Sequence, residues 1–297
     1  MKVSVNWLRE MVDVRLSVEE LARALTMGGL EVEEITPVAA SFDKIVVAHV
    51  KSVAPHPNAD KLRVTEVDAG TGTTLQIVCG APNVAAGQKV PCALIGAKLP
   101  LEDGKVLEIK AAKLRGTDSN GMLCSARELG LSQDHAGLLV LPEDAPVGES
   151  IRKYLDLDDV YLTLKLTPNR GDALSMLGIA RDVAAITGSE MKAAAPAPVQ
   201  SSIADTRAVK LTEAKACSAY YGRVIKGIDA KAATPAWMVR RIERAGLRAI
   251  SPLVDITNYV MLERGQPMHA FDNAKLRGGI DVRVMQPGER VDRKSVV

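Results

Sequence analysis

The residues best suited to chemistry fall in two places. In the first, Lys98, Lys105, Lys110, Lys113 and Arg115 outnumber Glu102, Asp103 and Glu108. This local excess of cations reads either as a patch facing phosphates or as an ordinary solvated face. Two turn-rich motifs frame it, His56-Pro-Asn-Ala-Asp-Lys-Leu62 and Lys113-Leu-Arg-Gly-Thr-Asp-Ser-Asn-Gly-Met122. In the second place, His269 stands in Gln266-Pro-Met-His-Ala-Phe-Asp272. A Pro-fixed turn holding an imidazole beside an apolar segment is a costly way to fill space, so a working histidine is favoured over simple packing or capping. An imidazole can orient or deprotonate a water. There is no GxxxxGK[ST] loop, and Gly70-Thr-Gly72 is a two-glycine turn between strands, so an ATP site is not expected. Cys79, Cys92, Cys124 and Cys217 lie far apart, without CxxC or a nearby histidine, and read as reduced core thiols.

The elements that must position these residues follow from the apolar pattern. Short β-branched runs at 75–79, 89–94 and 106–110, with a longer one from Ile45, are separated by Gly, Pro, Asn and Asp, as in a small closed or partly open barrel. Pro57 holds His56 extended, and Asn58 and Asp60 favour the turn that delivers Lys61 and Leu62 to the next strand. Asn120-Gly121 is a strong turn dipeptide. Segments 128–131 and 138–141 are expected to close the barrel.

Before the barrel, residues 3–8 read as a short strand or helix entry with Trp7 in the core. Ser17-Val-Glu-Glu20 is a capping box opening a helix that Gly28-Gly29 stops. An alternating strand then leads to Pro37. After the barrel, 161–166 alternates as a strand, and Thr167-Pro-Asn-Arg-Gly-Asp172 places a cap at Asp172 for a helix running to Gly188. The opening is too short to bury a core alone, so residues 1–39 plus 149–190 are expected to form one discontinuous α+β domain. The barrel, 40–148, would be its insertion. Residues 191–204 are an Ala/Pro/Ser linker. Beyond it we expect a strand at 219–226, a helix entered at Thr234-Pro235 and stopped at Gly246, and a second helix over 250–265 capped near Ser251.

With 297 residues, 47% hydrophobic and 25% charged, and a mean hydropathy of +0.04, the chain reads as soluble and multidomain. No apolar run reaches the roughly 18 residues a spanning helix needs, and the N-terminus has no apolar secretion signal. No membrane association and a cytoplasmic location are expected. The net charge of +2 hides an asymmetry: residues 207–297 carry 17 Lys and Arg against 9 Asp and Glu, whereas residues 42–150 carry 11 against 13. Aromatics make up only 3%, too few for a single-strand stacking platform. An RNA partner would therefore be held by shape and charge.

The pairing of HPNADKL with KLRGTDSNGM resembles the tRNA-binding OB module appended to several aminoacyl-tRNA synthetases. The run from Gly246 through Val254-Asp-Ile-Thr-Asn-Tyr to Gln266-Pro-Met-His-Ala-Phe-Asp272 resembles the start of the editing module of bacterial phenylalanine-tRNA ligase beta subunits. Thr167-Pro-Asn-Arg and the module order resemble that family too, over essentially the whole chain; 291–297 departs from it. The resemblance implies an α+β, multidomain chain: an OB-fold barrel inserted in a small α+β domain, then the truncated start of an α/β editing module at 205–297. It implies the N-terminal part of the beta subunit, with tRNA(Phe) and an alpha subunit, in an alpha2beta2 heterotetramer, as partners, and no DNA. ATP and magnesium would serve the whole enzyme and neither would be bound by this part, which alone would not aminoacylate. Lys61, Lys98, Lys105, Lys110, Lys113 and Arg115 would contact tRNA. Arg248, Thr257, Asn258 and His269 match positions lining the pocket that hydrolyses tyrosyl-tRNA(Phe), with no metal among them. Two other readings are a free-standing tRNA-binding OB protein, which predicts a chain ending near residue 150, and a non-catalytic scaffold for a partner subunit.

Overall fold

The computed structural model describes residues 1–100, 105–132, 136–192 and 196–290. The chain forms two compact units, residues 1–9 with 15–165, and residues 10–14 with those from 166 onward.

The first unit opens with β1 (Lys2–Ser4), which runs directly into α1 (Val5–Met11), where Trp7 is 3% exposed. Residues 3–8 are thus both strand and helix entry. The capping box forms: Ser17 Oγ accepts from the Glu20 amide while the Glu20 carboxylate accepts from the Ser17 amide, opening α2 (Val18–Met27). Leu21 and Leu25, one helical turn apart, are fully buried, and α2 packs on β2 (Glu31–Pro37). Burial of each leucine contributes about 1.5–3 kcal/mol.

The long β3 (Ile45–His56) turns at Pro57-Asn58 into β4 (Ala59–Asp68), followed by β5 (Thr74–Cys79) and β6 (Lys89–Ala93). Two short hairpins come next, β7 (Lys98–Pro100) with β8 (Val106–Glu108) and β9 (Ala112–Leu114) with β10 (Thr117–Ser119). β11 (Met122–Leu123) completes an antiparallel sheet of order β11-β6-β3-β4-β5. Its two ends approach each other: the Asn120 amide donates to Gln76 O at 2.8 Å and the Val78 amide to Ser119 Oγ at 3.0 Å. The sheet is buried on both faces. Ile45, Val47, Ala93, Ile109, Leu129 and Leu141 belong to one core, and Ala48, Val50, Val67, Ile77, Val90, Cys92 and Leu138 to the other. Segments 128–131 and 138–141 supply buried leucines rather than named strands, with Leu141 bridged to Lys89. Cys79, Cys92 and Cys124 are core thiols; burial pushes Cys92 up to about 12, so no thiolate is available there near neutral pH.

α3 (Ile151–Tyr154) leads to β12 (Val160–Lys165), which inserts between β1 and β2, pairing Val3 with Leu162 and Ile35 with Leu162 from the other side. Residues 2–37 thus receive their central strand from residues 160–165. Asp159, 4% exposed, stitches the joint by accepting from Ser4 Oγ (2.6 Å) and from the amides of Asn6 (3.0 Å) and Val160 (2.8 Å).

In the second unit, α4 (Met176–Thr187) is capped by Ser175, whose Oγ accepts from the Gly178 amide at 3.0 Å, and not by Asp172. The Asp172 carboxylate is committed to Arg170 instead, and residues 171–173 form a separate 3₁₀ turn. Gly188 ends the helix in the left-handed region. β13 (Val209–Leu211) pairs in parallel with a strand near the end of the described chain. The strand expected at 219–226 is absent: the stretch has no ladder partner among the described residues, and Tyr221 is 93% exposed. α5 (Ala236–Arg244) follows Pro235, but Thr234 does not cap it, because its hydroxyl donates to Asp255 Oδ2 at 2.6 Å. α6 (Pro252–Arg264) begins after Ser251 with Pro at its first position, and Gly265 ends it with φ 75°. A side chain at Gly265 would also meet Ser175 at 3.2 Å. β14 (Ile280–Val282) is the partner of β13.

Candidate nucleic-acid interface

The structure brings the two turn-rich motifs of the first unit into direct contact. β9 and β10 are joined by the two-residue loop Arg115-Gly116, both at positive φ (50° and 90°), the arrangement of a type I′ hairpin whose twist matches its strands. Glycine takes this conformation freely, but Arg115 is strained in it. His56 is 6% exposed, and its Nδ1 accepts from the Asn58 amide at 3.1 Å. That fixes the tautomer: Nε2 carries the proton and donates to Leu114 O at 3.0 Å. Asn58 Nδ2 donates to Arg115 O, also at 3.1 Å. Two side chains of the first motif therefore hold consecutive carbonyls of the second. At the hairpin's root, Gln76 Nε2 donates to Asp118 O at 2.8 Å and Ser119 Oγ accepts from Val78. Gln76 and Ser119 carried no signal in the sequence, because each acts on a residue some forty positions away.

All six basic candidates of this unit are exposed, but they do not share one element. Lys61 lies on β4, Lys98 and Lys105 on the β7–β8 hairpin, Lys110 just after it, and Lys113 and Arg115 on the β9–β10 hairpin. Lys110 faces Glu108 at 3.5 Å and Lys113 faces Asp118 at 3.8 Å, exposed pairs that hold their cations only weakly. Glu102 and Asp103 lie outside the described residues. Backbone bonds from Gly96 to Ile109 O (2.7 Å) and from Ile109 to Ala97 O (2.8 Å) anchor the connection between the hairpins to the core.

In the second unit, Thr257 and Asn258 are consecutive on α6, Arg248 is exposed between α5 and α6, and His269 is exposed beyond Gly265. Thr257 Oγ1 donates to Val254 O at 2.8 Å, and the rings of His269 and Phe271 lie 6.0 Å apart. No hydrogen bond or ion pair among the described residues joins any two of these four. The ordered centre of the region is Asp255, 1% exposed, which accepts from Thr234 and from the Ile250 amide at 2.8 Å. It fixes the entry of α6 and the end of the segment carrying Arg248. Nothing in the sequence singled it out, because its partners Thr234 and Ile250 are brought to it only by the fold. Trp237 and Tyr259 pack edge to face at 5.3 Å, with Arg241 over Trp237. In Thr167-Pro-Asn-Arg, Arg170 reaches both Asp172 and Asp182, tying that loop to α4; the guanidinium holds Asp172 below its usual range.

The family described as "Putative tRNA binding domain" matches residues 45–150, and the family described as "B3/4 domain" matches residues 216–294. Over 291 residues, 98% of its length, the chain is 60% identical to the phenylalanine-tRNA ligase beta subunit of Dechloromonas aromatica. It is 58% identical over 294 residues to the subunit of the same name from Cupriavidus pinatubonensis, covering 98% of this chain. The chain spans 36% of the length of each of these relatives. Among solved structures, the C-terminal domain of Plasmodium vivax p43 is similar at 25% identity over 36% of this chain and 57% of that one, with a TM-score of 0.27.

Proposed function

Since this chain is a relative of the phenylalanine-tRNA ligase beta subunits, we propose that it binds tRNA(Phe) through its curled sheet and contributes part of a site that hydrolyses mischarged tyrosyl-tRNA(Phe). The observation that carries the reading is the contact between the two motifs, which presents Lys113 and Arg115 on a pinned hairpin within the residues matching the tRNA-binding family. The sheet order and the approach of its ends support an OB fold for 40–148, inserted in a small domain of 1–39 plus 149–190. The B3/4 match beyond residue 150 favours this reading over a free-standing tRNA-binding protein.

Hydrolytic proofreading answers a physical limit. A pocket built for an apolar side chain rejects an isostere with one extra hydroxyl only about a hundredfold, so a second site must remove the product. Arg248, Thr257, Asn258 and His269 are the residues we assign to it. Attachment of phenylalanine belongs to the whole enzyme, with an alpha subunit in an alpha2beta2 assembly, in the cytoplasm. ATP and magnesium belong there too. Among the described residues, Gly70 and Gly72 stand between β4 and β5 with no helix opening after them, and no group of three or more His, Cys, Asp or Glu suited to a metal occurs. Among those residues, no helix is long and apolar enough to cross a membrane.

The test is binding of a tRNA(Phe) transcript to the full chain across a salt series. Released counterions should make the affinity fall with salt, by a log-log slope of about 0.7 to 0.9 per phosphate neutralised. Binding that ignores salt, or none at low salt, overturns the proposal.

A further inference from the structure

We infer that His56 and Asn58 are positioning residues for RNA: they touch none of it, but hold the Leu114–Gly116 turn so that Lys113 and Arg115 meet the phosphate backbone in one fixed arrangement. The inference rests on the tRNA-binding reading above and adds a division of labour within it.

Three observations carry it. First, the polar atoms of His56 are used up inside the protein: the ring is buried, one nitrogen accepts from Asn58 and the other donates to Leu114 O. The residue most easily taken for an RNA ligand has nothing left to offer one. Second, Arg115 sits at φ 50°, a conformation that non-glycine residues rarely adopt and that persists only where the surroundings over-determine it. Asn58 Nδ2 on Arg115 O and the His56 ring on Leu114 O supply that constraint from the end of β3 and the turn after it, more than fifty residues away. Third, the side chains of Lys113 and Arg115 remain exposed, and Lys113 faces Asp118 at 3.8 Å across the hairpin. The backbone of the tip is tethered while its cations are left to solvent. A two-stranded hairpin is marginally stable by itself. Without the tether the two cations would sample many arrangements, and ordering them would be charged against binding.

The experiment measures affinity of the full chain for a tRNA(Phe) transcript as a function of salt, for Lys113→Ala/Arg115→Ala, His56→Ala, His56→Gln, Asn58→Ala, and each clamp variant combined with the double cation variant. Removing both cations should weaken binding and flatten the log-log salt slope by about 1.4 to 1.8. Loss of either clamp bond should weaken binding about three- to tenfold in the parent, the worth of one hydrogen bond, and change little where the cations are already gone. His56→Gln, which keeps an N–H for Leu114 O, should recover part of the loss. Hydrogen exchange without RNA should show amides of 112–119 opening in His56→Ala while β3 and β6 stay protected. Clamp variants that weaken binding equally in both backgrounds, or not at all, overturn the inference. If β3 and β6 also lose protection in His56→Ala, then His56→Gln and Asn58→Ala decide by the same comparison. If the double cation variant binds normally while Lys61→Ala or Lys98→Ala weakens binding, the inference falls and the tRNA-binding reading stands. If none of these variants weakens binding, the reading itself fails.

Discussion

A side chain's chemistry is settled by what its neighbours leave free, and the histidines of the two units differ in this respect. His56 is buried and committed at both nitrogens, whereas His269 is exposed, with its ring near that of Phe271. The exposed imidazole can still take up a water, and the Arg248 guanidinium can hold a ribose-phosphate or offset a developing oxyanion. On the proposed reading, His269→Ala or Arg248→Ala in the intact enzyme should leave phenylalanine charging near normal while tyrosyl-tRNA(Phe) accumulates. Loss of general acid-base help slows such hydrolysis by about 10² to 10⁴. Deacylation of tyrosyl-tRNA(Phe) at the parent rate would reduce both residues to packing. These positions stood out in the sequence because they lie in a distinctive segment. Asp255 did not, because a carboxylate's burial depends on Thr234 and Ile250 arriving from elsewhere.

At the level of elements, local signals were legible and long-range competition was not. The Ser17 capping box, the Pro57-Asn58 turn and the glycines ending α4 and α6 depend on a few consecutive residues, and all appear as read. Asp172 and Thr234 have the chemistry of caps but were drawn away by Arg170 and Asp255, partners that sequence spacing does not weigh. The run 219–226 has strand-forming residues but no ladder partner among the described residues. The capping box also predicts a pH response. The Ser17 backbone amide, then its hydroxyl, hold Glu20 below the ordinary 4.5. A lowered carboxylate contributes stability that is complete above its unfolded value and is lost as pH falls through the folded one. The first turn of α2 should thus loosen below pH 4.5, read as a shift of the Ser17 amide resonance, and Glu20→Gln should abolish the pH dependence. An unchanged titration in that variant would place its source elsewhere.

Across the whole molecule the two units are unequally consolidated. From residue 205 onward only Ile242 and Asp255 are buried among the described residues, while Trp237, Ile250, Ile256, Met268 and Phe271 are all at least 45% exposed. α6 carries apolar residues on every side, the composition of a helix meant to be covered all round. Amide exchange of the isolated chain should therefore find residues 205–290 opening well before the β3–β6 core, and should show two transitions on denaturation. A single transition with uniform protection would refute that. The small sheet of the first unit has a consequence in time. β1 and β2 leave the ribosome long before β12, the strand that lies between them. At about 5–20 residues per second, residue 165 is made roughly 6 to 26 seconds after residue 37. For that interval the opening segment is a pair of unjoined edges, while β3 to β6 already hold everything they need to pair. Synthesis order thus makes the β3–β6 sheet the older structure, and the small sheet of β1, β12 and β2 is completed only after its neighbour has had time to form.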